Sequence, residues 1–167
     1  MNPEVELLRQ LSESFGPAGF EREVSLRFKD YVSRFSDSVT TDKLGSVIFS
    51  KKGTSEKPRI MLAGHVDEVG FIINNVDKDT GFLGFAPLGG WFDQVLLAQR
   101  VIVRSRKGDF FGVIASKPPH LLKPEEQTQV VKKEDMFIDV GASDTNDVEK
   151  MDIRMGDPVV PTLPSRW

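Results

Sequence analysis

Residues 59–71 have the sequence RIMLAGHVDEVGF, in which a short apolar run leads directly into His65 and Asp67. A short apolar run bounded by turn residues is typical of a strand that is buried on both faces. The sequence therefore predicts a buried strand from Arg59 to Ala63. Because side chains alternate along a strand, His65 and Asp67 are expected to point to one side.

Two helices and a hairpin are predicted upstream of this run. Apolar side chains recur at helical spacing from Pro3 to Phe15 and again from Phe20 to Phe35. Two β-type runs, at 39–41 and 46–50, then flank a turn that contains Gly45. Helix, helix, hairpin and buried strand are the opening elements of an α/β domain.

Downstream of Gly70 the pattern changes to short β-type runs separated by turn residues, which predicts a small β-barrel or sandwich. These runs lie at 71–76, 81–87, 100–105, 110–115, 136–140 and 157–161. The change in pattern places a domain boundary near Gly70.

The composition narrows the possible partners and ligands. The net charge is −3 and no basic stripe is present, which argues against a nucleic-acid partner. There are no cysteines, so any metal must be held by His, Asp or Glu side chains. No apolar stretch approaches the roughly 18 residues of a membrane span, and the N-terminus does not resemble a signal peptide. A cytoplasmic location is the default expectation.

The His65 and Asp67 pair is the strongest candidate for chemistry. An imidazole nitrogen is a good ligand for Zn²⁺ or a similar divalent ion. A metal-bound imidazole needs an acceptor on its other nitrogen, often a carboxylate, and Asp67 is placed to supply it. A His-x-Asp triplet that arises by chance at a strand end is the alternative.

Other polar and aromatic candidates have simpler explanations. His120 could approach a substrate, but a structural role in its loop is favoured. The pair Asp135 and Asp139 is more typical of a solvated strand edge than of a ligand set. Trp91 could shape a pocket, although packing or an interface is favoured.

Several segments resemble, in the same order, those of the M42 metallo-aminopeptidases. Residues 59–71 are similar to the strand that leads into the family's first metal site, and residues 40–46 resemble the hairpin ahead of it. The other similar segments lie at 88–91, 97–101, 112–120, 135–142 and 156–161. The resemblance covers nearly the whole chain, and some family members are named glutamyl aminopeptidase or endoglucanase.

This resemblance implies an α/β catalytic-domain fragment (two helices, hairpin, buried strand) plus a small PDZ-like β-barrel domain. Residues 1–70 would be the N-terminal part of the α/β metallopeptidase domain, and residues 71–160 a β-barrel insertion used for dimerisation. The family's active site holds two divalent metal ions, Zn or Co. His65 matches one terminal metal ligand. Asp67 matches the catalytic carboxylate that orients it.

The other ligands of the family lie after its β-domain, and this sequence reaches Trp167 without them. Residues 161–167 are interpreted as a truncated tail. Tight zinc sites use three or four protein ligands, so one imidazole cannot hold two ions. The expectation is therefore a chain that is inactive alone.

Three functions stay open from the sequence. The first is an aminopeptidase that acts on peptides, within a homo-oligomer formed through the β-domain. The second is a non-catalytic assembly or binding fragment. A weaker third is a glucan hydrolase, which usually needs two carboxylates flanking the bond. Metal dependence separates the first from the third, and completeness of the site separates the first from the second.

Overall fold

The computed structural model of the protein describes residues 2–162. The chain divides between Asp67 and Glu68 into two compact units. We call residues 2–67 the N-terminal unit and residues 68–162 the barrel unit. Of the predicted tail, residues 163–167 lie outside the described residues.

The N-terminal unit begins with two helices followed by a hairpin. They are α1 (Pro3–Ser12), α2 (Arg22–Ser33), β1 (Ser38–Thr41) and β2 (Val47–Ser50). Asn2 starts α1 because its side chain accepts a hydrogen bond from the backbone N–H of Glu4 at 2.8 Å. Phe28 and Phe49 join α2 to the hairpin through an edge-to-face contact at 5.6 Å. The predictions of two helices and a hairpin are thus confirmed.

The predicted buried strand from Arg59 to Ala63 is wrong for this structure. These residues have no regular secondary structure. Ile60, Met61 and Leu62 are 81%, 87% and 95% exposed. A strand becomes buried only when other strands pair with it and further layers cover its faces. The hairpin forms a two-stranded sheet by itself, and no strand within residues 2–162 pairs with this run.

The N-terminal unit buries little apolar surface. Among its described residues, Phe15 and Val24 are the large hydrophobic side chains that reach the buried class. Leu8, Leu26 and Phe35 are each at least half exposed although they lie in or next to the helices. The N-terminal unit therefore has a small core. Since burial of apolar area is the main stabilising term in folding, this core contributes little stabilisation.

The barrel unit contains six strands that close into a barrel in the order β3-β4-β7-β6-β5-β8. They are β3 (Gly70–Val76), β4 (Leu83–Leu88), β5 (Arg100–Ser105), β6 (Gly108–Ser116), β7 (Met136–Asp139) and β8 (Pro158–Pro161). All adjacent strands are antiparallel. The first and last strands close the barrel, with Phe71 opposite Val159. Of the two predicted alternatives, barrel and sandwich, the structure has the barrel.

Alternation of side chains along the strands fills the interior of the barrel. In β5, Val101 and Val103 are fully buried, while Arg100 is exposed. Arg106 and Lys107 form the turn between β5 and β6, and Gly108 follows with a positive φ of 134° that suits glycine. A short helix, α3 (Thr145–Lys150), adds the buried side chain of Val148 to the core.

None of the helices within residues 2–162 has the length and apolar character that a membrane crossing requires.

Candidate metal-ligand pair

His65 and Asp67 make a direct contact in the N-terminal unit. The imidazole Nδ1 lies 2.9 Å from Oδ1 of Asp67 and 3.1 Å from the backbone oxygen of the same residue. A carbonyl and a carboxylate can only accept hydrogen bonds, so Nδ1 must be the donor. Nδ1 therefore carries the proton, and the lone pair of the neutral ring is on Nε2.

The free side of the imidazole faces solvent. The side chain of His65 is 85% exposed and that of Asp67 is 38% exposed. Within residues 2–162, the hydrogen bonds of the His65 ring are made by Nδ1 alone. A ring held in this way presents Nε2 to an incoming ligand in one tautomer.

The described residues do not complete a metal site around this pair. No group of three or more His, Asp or Glu side chains with metal-binding geometry occurs within residues 2–162. Zinc sites need three protein ligands when catalytic and four when structural. The pair thus fits the role of one ligand with its orienting carboxylate, but these residues alone do not fit a two-ion centre. No catalytic step through a metal follows from the geometry.

The other candidates from the sequence lie in the barrel unit. His120 is exposed in a 3₁₀ turn, Pro119–Leu121. Asp139 accepts a hydrogen bond from the backbone N–H of Gly141 at 2.8 Å, while Asp135 is exposed at the end of another 3₁₀ turn. The structure does not join these three side chains into a site.

Trp91 packs into the barrel unit, as the sequence favoured. Its ring stacks on Phe71 with the centroids 4.8 Å apart. Its indole Nε1–H donates to the backbone oxygen of Gly70 at 2.9 Å. Both contacts tie the segment after β4 to the start of β3.

Ion pairs shift the pKa values of their members within each unit. In α1, the hydrogen bond from Arg9, helped by one from Gln10, lowers the pKa of Glu6 to about 2. In the barrel unit, the side-chain hydrogen bond from Lys133 lowers the pKa of Asp93, and the same contact raises the pKa of Lys133. The Lys133 Nζ to Asp93 Oδ1 distance is 2.9 Å. These ion pairs stabilise the local structure in which they lie.

The sequence and fold match one family of peptidases. The family model described as M42 glutamyl aminopeptidase matches residues 45–166. The match covers most of the chain, including the candidate pair and the barrel. The chain belongs to the M42 peptidase family, whose members are hydrolases.

Relatives with related folds support this assignment. The lysyl aminopeptidase of Pyrococcus furiosus is 36% identical over 154 residues, covering 90% of this chain and 43% of its own. A TET aminopeptidase from a marine sediment archaeon, Thaumarchaeota archaeon SCGC AB-539-E09, has a TM-score of 0.92 and 51% identity, covering 96% of this chain and 45% of that one. The Pyrococcus horikoshii TET1 peptidase has a TM-score of 0.80 and 28% identity, with coverage of 95% and 46%.

The chain spans less than half of the length of these relatives. The closed barrel fits the PDZ-like domain of M42 peptidases. M42 peptidases are generally metal-dependent.

Proposed function

We propose that this chain contributes to a metallo-aminopeptidase that removes N-terminal residues from peptides. In this proposal His65 is a terminal metal ligand and Asp67 is the carboxylate that orients it. The observation that carries the proposal is the 2.9 Å contact from Nδ1 of His65 to Asp67, which leaves Nε2 outward and exposed. Membership of the M42 family supplies the reaction class.

Each residue of the pair has a separate task. Asp67 keeps the proton on Nδ1, so that Nε2 keeps the lone pair that a metal needs. His65 contributes that lone pair from a side chain that is already exposed. Bound divalent ions, zinc or cobalt, would supply Lewis-acid activation of water and of the peptide carbonyl. The remaining ligands must come from outside residues 2–162, because these residues contain no ligand cluster.

We also propose that the protein acts on peptides as a homo-oligomer in the cytoplasm. The related Pyrococcus horikoshii TET1 peptidase is described as assembling into a tetrahedron or a large octahedral shell. We assign the subunit contact to the barrel unit, the domain that we expect to mediate dimerisation. Sedimentation of the purified protein tests the assembly, since a monomer at all concentrations would contradict it.

The metal role of His65 can be tested on the purified chain. The chain contains two histidines, so His120 serves as an internal reference for His65. Zinc is titrated while the ring nitrogens of both are followed by NMR. We expect the Nε2 resonance of His65 to shift and that of His120 to stay in place. His120→Gln should leave zinc binding unchanged, and Asp67→Asn should weaken it by about 10-fold, as expected for loss of an orienting carboxylate. An equal response of both histidines would contradict the assigned role.

Catalysis is tested in a chimera. The chain replaces the matching 154-residue segment of the Pyrococcus furiosus lysyl aminopeptidase, which supplies the rest of the fold. Hydrolysis of lysyl p-nitroanilide is then measured. We expect activity that falls at least 100-fold in His65→Ala, since loss of a ligand removes the metal's contribution. His120→Gln is the matched control. Equal activity in the two variants would refute the role of His65.

A second function, a non-catalytic assembly module, is favoured by one observation. The barrel unit is closed and has a continuous core, whereas the described residues contain no group of three or more side chains that could hold a metal ion. Under this hypothesis the protein would oligomerise normally but would not bind zinc through His65. The zinc titration therefore separates the two functions.

A further inference from the structure

A cavity of about 360 Å³ lies between α1 and α2 in the N-terminal unit. Its apolar side includes Leu7 and Leu11, which are half-buried and lie one helical turn apart on α1. Its polar side includes Asp30 and Tyr31 of α2 and Arg34 at the end of that helix. Small-molecule sites usually enclose about 300–1,000 Å³ and combine apolar walls with a few polar groups. This cavity therefore has the size and the lining of a site for a small ligand.

Arg34 is held at this cavity by aromatic rings. Its guanidinium carbon lies 4.3 Å from the centroid of the Tyr31 ring and 4.8 Å from that of the Phe35 ring. Such cation–π contacts restrain a guanidinium and leave its N–H donors able to bind an oxygen ligand. Within residues 2–162, the Arg34 side chain makes no hydrogen bond or ion pair. Arg34 thus offers the planar set of donors that suits a carboxylate.

Asp30 places a negative charge at the same cavity. It precedes Arg34 by four residues, so both side chains lie on one face of the helix. Within the described residues, Asp30 has no hydrogen bond or ion pair, and it does not pair with Arg34. The other guanidinium of the cavity, that of Arg27, is by contrast bound by Glu23 at 3.2 Å. One carboxylate and one guanidinium are therefore available to a ligand.

These two charges define the chemistry of the ligand. An anion would be attracted by Arg34 but repelled by Asp30, and a simple cation would meet the opposite conflict. A zwitterion satisfies both groups, with its carboxylate on the guanidinium and its ammonium on the aspartate. Side chains four residues apart have Cβ atoms about 5–6 Å apart. This short separation suits the adjacent ammonium and carboxylate of an α-amino acid, whose apolar side chain would pack against Leu7 and Leu11.

We propose that this cavity is a binding site for a free α-amino acid with an apolar side chain. Arg34 binds the α-carboxylate, Asp30 binds the α-ammonium, and the two leucines of α1 contact the side chain. The site contains neither member of the candidate metal-ligand pair. A free amino acid is also what the proposed aminopeptidase releases, so the connection of this site with the reaction rests on the proposed function, whereas the site itself rests on the charges of the cavity.

Binding of L-leucine to the purified, metal-free chain tests this proposal. Leucine is titrated while the backbone amide resonances are followed by NMR. We expect saturable shifts at residues 7–11 and 27–34 and none in the barrel strands. L-leucinamide lacks the carboxylate and N-acetyl-L-leucine lacks the ammonium, so each should bind roughly 10-fold more weakly, as expected for loss of one hydrogen-bonded charge. Shifts that do not saturate, or equal binding of the three compounds, would overturn the proposal.

Charge variants assign each contact. Arg34→Gln should abolish the preference for leucine over leucinamide and keep the preference over N-acetyl-leucine. Asp30→Asn should do the reverse. Arg22→Gln is the matched control, because Arg22 is exposed on the same helix and does not line the cavity. A control variant that loses leucine binding as strongly as Arg34→Gln would contradict the assigned contact.

The length of the ligand separates an amino acid from a peptide. Leucyl-leucine is also a zwitterion, but a peptide unit separates its two charges. We expect it to bind roughly 10-fold more weakly than leucine, since it cannot make both charged contacts at once. Equal or tighter binding of the dipeptide would overturn the assignment of a free amino acid. All of these titrations are made without zinc, so they can fail while the zinc titration of His65 succeeds, and the reverse.

Discussion

Trp91 and Gly70 are joined across the barrel unit by a hydrogen bond of 2.9 Å from the indole Nε1–H to the backbone oxygen. The same indole ring stacks on Phe71. Gly70 and Phe71 begin β3, so Trp91 fixes the entry of the chain into the barrel. A single side chain thus supplies both a directed polar contact and apolar cover at this point.

Replacing Trp91 separates these two contributions. Trp91→Phe keeps a ring but loses the donor, which should cost about 1 kcal/mol of unfolding free energy. Trp91→Ala also loses the stacking and should cost about 3 kcal/mol, as for other large aromatic truncations. Urea unfolding followed by circular dichroism measures both. Phe92→Ala is the control, since Phe92 is 64% exposed. Equal costs for all three variants would contradict the role of Trp91.

Gly112 is expected to be intolerant of a side chain. A Cβ at this position would lie 2.8 Å from Cγ2 of Ile138 and 3.0 Å from the backbone oxygen of Asp139. Gly112→Ala should therefore destabilise the barrel by about 1–3 kcal/mol through overpacking. Gly90→Ala is the matched control because nothing lies within 4 Å of its Cβ position. The urea midpoints of the two variants decide the comparison, and equal midpoints would count against the close packing at Gly112.

The ion pair of Asp93 and Lys133 predicts a dependence of stability on pH. The side-chain hydrogen bond from Lys133 lowers the pKa of Asp93 in the folded state. The stability that the Asp93 carboxylate contributes is therefore fully present above its unfolded pKa of about 3.9. That stability is lost as the pH falls through the lower pKa of the folded state. The raised pKa of Lys133 gives a contribution that is present below about 10.4 and is lost as the pH rises through the folded value.

Asp93→Asn tests this dependence. Unfolding by urea is measured between pH 7 and pH 2 for the original chain and for the variant. We expect the original chain to lose more stability on acidification than the variant, because only the original chain has a carboxylate at position 93 that can be protonated. Superimposable pH profiles would show that the Asp93 contact does not stabilise the fold.

The two units should differ in local stability. The N-terminal unit has few buried apolar side chains, whereas the barrel unit has a continuous core. We therefore expect amide hydrogen exchange to be faster in residues 2–67 than in the barrel strands. Trypsin should cut first after Lys51, Lys52 or Arg59, which are exposed and lie outside regular structure. Equal exchange protection in the two units would contradict this difference.

Local sequence patterns predicted much of this fold. The alternation of Val101 and Val103 with Arg100 identified a strand because burial on one face follows from period-two spacing. Barrel closure was not predictable in this way, since it depends on pairing Phe71 with the distant Val159. The predicted strand at 59–63 failed for a related reason. Its apolar character was correct evidence for burial, but burial also requires partner strands, and none pairs with it in the described chain.

The candidate site was predictable only in part. The spacing of His65 and Asp67 suggested an orienting contact, and the two side chains do form a hydrogen bond. Their roles as ligand and catalytic residue stay predictions. A complete metal site brings together side chains that are distant in sequence, so its other members cannot be inferred from the local pattern around His65.

The pairing of β3 with β8 has a consequence for the barrel unit as a module. These antiparallel strands are the first and last of the unit, and Phe71 lies opposite Val159. The chain therefore enters and leaves the barrel at neighbouring points. Closely spaced ends allow circular permutation. A short linker could join the ends of β8 and β3 while new termini open at the turn of Arg106 and Lys107, leaving every strand neighbour unchanged.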